Sequence, residues 1–165
     1  MEKSLLIFFG KTGAGKSYAA KMFAENFGYY FYDADLDLTV EMREAIAKSL
    51  VFSDEMRFKY FEAVQEKTKV LLKLNHRVAL AQGFFKNKNR SKFTQAFPFA
   101  KFIWVDAAED VLEQRILGRN SSVTLEYARK INQIFEPPDF SCEKITNSQG
   151  PIELLNEIRK IKLKL

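Results

Sequence analysis

Gly10-Lys11-Thr12-Gly13-Ala14-Gly15-Lys16-Ser17 is the stretch on which the reading of this chain turns. It satisfies the spacing G-x-x-x-x-G-K-[ST] in full. Its flanks suit the motif: the apolar run Ser4–Phe9 reads as a strand before it, and Lys16–Asn26 reads as a helix after it. Backbone N–H groups turned inward around phosphate oxygens need glycine wherever dihedrals are unusual or the ligand comes close. The helix N-terminus that follows adds partial positive charge. In such a loop Lys16 reaches the β- and γ-phosphates, and the Ser17 hydroxyl ligates Mg²⁺. Lys11, Thr12, Gly13, Ala14, Gly15, Lys16 and Ser17 are therefore expected to hold a nucleoside triphosphate with Mg²⁺. The loop alone leaves the reaction open.

Downstream, Gly28 stands in the usual terminating place of the first helix. Tyr29–Tyr32 is strand-like and runs into the acidic cluster Asp33-Ala34-Asp35-Leu36-Asp37. Thr39 is expected to cap a helix to about Leu50. Ser53 is expected to cap a longer one, with Asp54 and Glu55 in its first turn. Met56, Tyr60, Phe61, Val64, Leu71 and Leu72 give that second helix a core-facing stripe. Arg77–Ala81, Lys101–Val105 and Glu143–Thr146 read as further strands. Glu109–Leu117 and Thr124–Phe135 read as helices joined by the polar stretch Gly118–Val123, with Pro137-Pro138 stopping the second. Pro151 opens a last helix with Leu154, Leu155, Ile158 and Ile161 on one face. Strands alternate with helices throughout, which predicts an α/β fold of three layers around a parallel five-stranded sheet. Residues 1–165 are expected to form a single domain, without repeat or linker.

A chain of 165 residues is long enough to bury one sizeable core, and 47% apolar with 28% charged residues describes a folded protein. Leu5–Phe9 is too short for a signal peptide, and no stretch approaches the roughly 18 apolar residues of a membrane span. The single cysteine, Cys142, allows no internal disulfide, in keeping with a reducing cytoplasm. One His and one Cys do not make a structural zinc site. The net charge of +5 comes from scattered basic residues with local runs only at Lys86–Lys92 and Lys160–Lys164, so nucleic acid is not expected as a main partner. A monomer or homodimer acting on a small molecule is expected.

Asp33 and Asp35 sit at the expected C-terminal end of a strand, the edge that borders the ligand crevice in an open parallel sheet. In an extended chain they project the same way. One would hold Mg²⁺, usually through water, and the other would orient or deprotonate an attacking hydroxyl; the structural alternative is a solvated acidic turn. Arg115 and Arg119, one helical turn apart, are placed to clamp phosphates as a short lid closes, although cations at a helix C-terminus are also expected structurally. Lys86, Lys88, Arg90 and Lys92 follow the third strand on the ligand side, as candidates for an anionic substrate or as a solvated helix face. Arg43 and Arg57 pose the same choice on the earlier helices. His76 reads as surface.

Together these residues resemble the gluconate kinases, within the shikimate kinase and gluconate kinase-like group of small P-loop kinases with a nucleoside-monophosphate-kinase-like fold. The resemblance spans about the first 140 residues and rests on the phosphate loop, Asp33-Ala34-Asp35, Ala81–Arg90, the arginine pair and Phe135-Glu136-Pro137-Pro138. It implies ATP and Mg²⁺ as cofactors, substrate-binding helices at about residues 38–75 and a lid at about 115–125. It implies Lys16, Asp35 and Arg119 as catalytic, Arg115 and Arg119 on the nucleotide with the loop, and Ser17 and Asp33 on the metal. Asp35, Arg43, Arg57, Lys86 and Arg90 fall to the substrate. There are departures: the family's His-Pro after the acidic cluster is Leu38-Thr39 here, its lid histidine is replaced, and the bulky Phe84 follows Gln82-Gly83 where small residues are usual.

The expected function is ATP- and Mg²⁺-dependent phosphoryl transfer to a hydroxyl of a small carboxylated polyol or sugar acid. The alternatives are a shikimate kinase-like activity, a nucleotide-dependent regulatory NTPase, and a polynucleotide-end kinase motivated by Lys86–Lys92.

Overall fold

The computed structural model describes residues 2–165. Its order is β1 (Ser4–Phe9), α1 (Lys16–Phe27), β2 (Tyr30–Asp33), a 3₁₀ turn (Ala34–Asp37), α2 (Val40–Ala47), α3 (Asp54–Asn75), β3 (Arg77–Ala81), α4 (Asn87–Ala96), β4 (Lys101–Asp106), α5 (Glu109–Leu117), α6 (Leu125–Gln133), β5 (Glu143–Thr146) and α7 (Pro151–Lys164). The strands pair in parallel in the order β2-β3-β1-β4-β5.

β1 is the central strand, and it is buried on both faces because every residue from Leu5 to Phe9 is apolar. Leu6 and Phe8 face the core shared with Ala20 and Phe23 of α1 and Leu154, Ile158 and Ile161 of α7. Leu5, Ile7 and Phe9 face the core shared with Tyr60, Val64 and Leu72 of α3 and Phe93 of α4. A smaller cluster joins Ile46 of α2 to Tyr127 and Ile131 of α6. Among the described residues, no helix is long and apolar enough to cross a membrane.

The caps follow the sequence. Gly28 closes α1 in the left-handed region at φ 69°, its N–H donating to the Ala24 carbonyl. The side chains of Thr39 and Ser53 accept the N–H groups of Met42 and Met56. α2 ends at Ala47, short of the expected Leu50, where Ser49 turns at φ 54°. The acidic cluster differs from expectation. It does not stay extended: Asp33 ends β2 and its carboxylate accepts the Asp35 N–H at 3.1 Å, winding Ala34–Asp37 into a 3₁₀ turn. Asp33 and Asp35 thus sit at the same edge by a capping turn rather than by strand alternation.

Arg90 also departs from its expected place on the substrate. On α4 it faces inward with no exposed surface. Its Nε donates to the Phe84 carbonyl at 2.7 Å, and its Nη2 donates to the carbonyls of Glu136 at 2.7 Å and Phe85 at 3.3 Å. Nη1 donates to the Asn87 side chain. The guanidinium lies between the rings of Phe9 and Phe135, at 4.7 and 5.0 Å from their centroids. Burial pulls its pKa down to about 10, against the raising effect of the Glu136 carboxylate, so it stays cationic at neutral pH. Arg90 is a strut that ties the turn after β3 to the segment after α6. Arg90→Met leaves buried carbonyls without donors, at about 1–3 kcal/mol each. It is expected to lower stability by about 3 kcal/mol or more in urea denaturation, and an unchanged midpoint would contradict the strut.

Candidate active site

The loop after β1 is shaped by contacts that only glycine permits. A Cβ on Gly10 would lie 2.1 Å from the Val105 carbonyl oxygen, and one on Gly13, at φ 90°, would lie 2.8 Å from the Leu112 carbonyl oxygen. The loop's outer side is tied back. Asn132 accepts the Thr12 N–H at 2.8 Å and donates to its carbonyl at 3.2 Å. Asn147 donates to the Ala14 carbonyl at 2.9 Å. Arg115 donates to the carbonyls of Gly13 and Ala14 at 3.4 Å and to that of Asn147 at 2.7 Å. With these carbonyls held outward, the inner side carries the first-turn N–H groups of α1, which have no intrahelical partners. Arg115, expected on the nucleotide, thus spends its donors bracing the loop.

Lys16 donates to the Lys11 carbonyl at 3.0 Å. Crowding by protein lowers its pKa. Asp35 and Asp33 counter this, while Arg119 adds to it. Asp35 is exposed to solvent, yet many protein atoms lie near it. That desolvation raises its pKa, Lys16 opposes the rise, and Asp33 reinforces it. Its Oδ1 accepts from Gln82 Nε2 at 3.2 Å, and Gln82 in turn reaches the Tyr60 hydroxyl at 3.3 Å. Arg43 donates to the backbone carbonyls of Leu38 at 3.2 Å, Leu36 at 3.0 Å and Asp35 at 3.5 Å, so it braces the 3₁₀ turn. Lys86 pairs with Asp54 at 3.3 Å and does not line the cavity, and Lys88 pairs with the same carboxylate.

A cavity of about 270 Å³ opens directly from this loop. Thr12, Gly13 and Gly15–Ser17 line it together with Asp35, Arg119, Phe52, Arg57, Phe61, Phe84 and Tyr127. Arg57 is 6% exposed, and its Nε and Nη2 have no partner among the described residues. Its guanidinium stands 5.7 Å from the Phe52 ring centroid, and burial lowers its pKa. These two donors are closed off from the space, while the residue lines it, and a buried cation beside a cavity favours an anionic group there.

Of the expected substrate residues, the structure brings Asp35 and Arg57 together with Lys16 and Arg119. Arg43 lines the rim but with its guanidinium engaged. Lys86 and Arg90 point elsewhere. Sequence reading missed Gln82 as the partner of Asp35 and Asn132 as a brace. Asn147 follows β5 on the same sheet edge. That edge was the available signal for Gln82 and Asn147. Asn132 had none.

The family model described as AAA domain matches residues 5–138, and the chain belongs to that family. No curated protein sequence matches it. Among solved structures it is similar to a sugar kinase from Janibacter sp. HTCC2649, with TM-score 0.83 and 16% identity over 99% of this chain and 94% of that one. It is also similar to a gluconokinase from Sinorhizobium meliloti 1021, with TM-score 0.78 and 20% identity over 98% and 94%. A third is the Mycobacterium tuberculosis APS kinase in complex with AMPPNP and APS, with TM-score 0.70 and 16% identity over 99% of each chain. At such identities the likeness is one of fold, and it is the fold that the motifs implied.

An unpaired buried guanidinium is costly in the empty protein, by about 1–3 kcal/mol. Arg57→Met is therefore expected to raise the Tm of the ligand-free protein. A lower Tm would mean that Arg57 supports the fold instead of waiting for a ligand.

Proposed function

For this member of the AAA domain family, we propose phosphoryl transfer from Mg²⁺-bound ATP to a hydroxyl of a small carboxylated acceptor. One observation carries the reading: a single cavity is lined by the phosphate loop, by Asp35 and by Arg57, a buried arginine with unpartnered donors. Fold neighbours named as a sugar kinase and a gluconokinase, and an APS kinase solved with AMPPNP, support this reaction class. The acceptors to try first are sugar acids of the gluconate type, with shikimate as the alternative.

The residues fit a magnesium nucleotide. The loop is a cradle that a Cβ at Gly13 would spoil, and Lys16 is a crowded ammonium whose one hydrogen-bond partner is a backbone carbonyl. When bound, the nucleotide supplies the phosphoryl group: its bond to the β–γ bridging oxygen breaks, its bond to the acceptor oxygen forms, and ADP leaves. Lys16 and the α1 N-terminus balance the phosphate charge. Ser17 and Asp33 would hold Mg²⁺, which would help balance the phosphate charge. Arg119, on the segment between α5 and α6, adds positive charge over the transferring group. Asp35 takes the proton of the acceptor hydroxyl, and its raised pKa makes it a stronger base than an ordinary carboxylate. Gln82 and the 3₁₀ turn braced by Arg43 hold that carboxylate in place. Arg57 binds the acceptor's carboxylate. Lys86 and Lys88 are paired to Asp54, which leaves no open basic strip there for a polynucleotide.

Asp35→Asn is expected to lower kcat by about 10²–10⁴-fold while leaving ATP affinity within a few-fold. Near-normal turnover would remove Asp35 as the base.

The pH dependence has a definite sign. Asp35 acts ionised and its pKa is raised, so kcat/KM is expected to climb with pH through a value above the usual carboxylate range of about 4. An acid limb at or below about 4 in the pH–rate profile contradicts the assignment.

A further inference from the structure

Several polar side chains that line the cavity are already engaged within the protein. Gln82 donates to Asp35 and lies against Tyr60, while its Oε1 accepts the Phe84 N–H at 2.7 Å. The Tyr60 hydroxyl donates to the Ala34 carbonyl at 2.6 Å. Arg43 is engaged by backbone carbonyls. What remains is the Asp35 carboxylate, the Arg57 guanidinium and the Tyr127 hydroxyl, whose pKa is pushed up to about 12 by burial, so that it stays a neutral donor. Ser122 and Arg119 face in from the α5–α6 segment.

The hydrocarbon open to the cavity is Phe52, Phe61 and Phe85, backed by the buried Met42, Ile46 and Phe84. It is also braced. Phe84 sits at φ 46°, a conformation that a bulky residue rarely adopts, and it is held there by Gln82 on its N–H and by Arg90 on its carbonyl. Its ring stacks on Phe61 at 4.8 Å between centroids. A polyhydroxylated acid in this space would bury hydroxyls against rings, and each unmatched hydroxyl costs about tenfold in affinity.

We propose that the acceptor is a hydroxy acid with an aromatic or branched hydrocarbon body. Its carboxylate sits on Arg57, its body lies against Phe52 and Phe61, which the buried Phe84 backs, and its hydroxyl meets Asp35. This assignment rests on the phosphotransfer reading and narrows its acceptor from any carboxylated molecule to an apolar one. The hydroxyl oxygen gains the phosphoryl group, its proton passes to Asp35, and ADP is released.

The test compares 4-(hydroxymethyl)benzoate, 3-(hydroxymethyl)benzoate and 4-(hydroxymethyl)phenylacetate, whose hydrocarbon separates hydroxyl from carboxylate, with gluconate, glycerate and shikimate. Binding to the nucleotide-free protein is measured by calorimetry. ADP release with Mg²⁺-ATP is measured with mass detection of the phosphorylated product. At least one of the first three acids is expected to bind about tenfold or more tighter than every polyol acid, with a negative heat-capacity change. Arg57→Met is expected to weaken that binding by tenfold or more, and the same acid is expected to be phosphorylated. Equal or tighter binding and turnover of a polyol acid overturns the apolar acceptor and leaves phosphotransfer standing. If an apolar acid binds through Arg57 but no acid yields ADP or phosphorylated product, the phosphotransfer reading fails and the acceptor assignment falls with it.

Discussion

The site depends on one alignment in the sheet. Ala81 at the end of β3 is in register with Phe8 of β1 on one side and with Asp33 of β2 on the other. Parallel strands in such register leave the sheet at the same level, so the segments that follow them emerge side by side. The Gly10 N–H donates to the Gly83 carbonyl at 3.3 Å and the Gln82 N–H to the Phe8 carbonyl at 3.1 Å, which carries the pairing one step past the strands. From this row come the phosphate loop, the Asp33–Asp35 turn and the Gln82–Phe84 turn. A one-residue slip of β3 would point Gln82 away from Asp35 and break the link between loop and acceptor wall.

Around that row, opposite charges share one concave space. Lys16, Asp35 and Arg119 each feel the others, and crowding by protein disfavours the ionised forms of Lys16 and Asp35. On the proposed function, a triphosphate with its metal would complete this arrangement, and a carboxylate would complete the environment of Arg57. The empty protein therefore holds unmet electrostatics where ligands are expected, a usual trade of stability for function. Arg90 shows the contrasting use of the same side chain: its donors are matched by carbonyls and its faces by rings, so it contributes to the fold and binds no ligand.

The likeness between Arg57 and Arg90 in sequence, and their difference in space, shows where sequence reading stops. Both follow an element start and both lie in segments that resemble substrate-binding stretches. Only packing against Phe9 and Phe135 turns Arg90 inward, and only the gap between α3 and α6 leaves Arg57 without a partner. The same holds for Arg115, whose place one turn before Arg119 suggested a phosphate clamp. The folded loop uses it to hold carbonyls of Gly13, Ala14 and Asn147. Asp33 and Asp35 were legible as a pair at a strand end, but the 3₁₀ turn that sets their directions was not, because alternation and a capping turn give the same sequence.

What the sequence by itself determined was the alternating α/β plan, the phosphate loop with its glycines, the helix caps and the presence of Asp35 near the loop. These follow from local chemistry: the period of apolar residues, the dihedrals open to glycine and the short reach of capping side chains. Tertiary structure alone decided which arginines are engaged, which carboxylate is crowded, and which rings line the cavity. Those properties belong to neighbours contributed by strands and helices distant in the chain, and a guanidinium or a carboxylate takes its role from the groups that fold places around it.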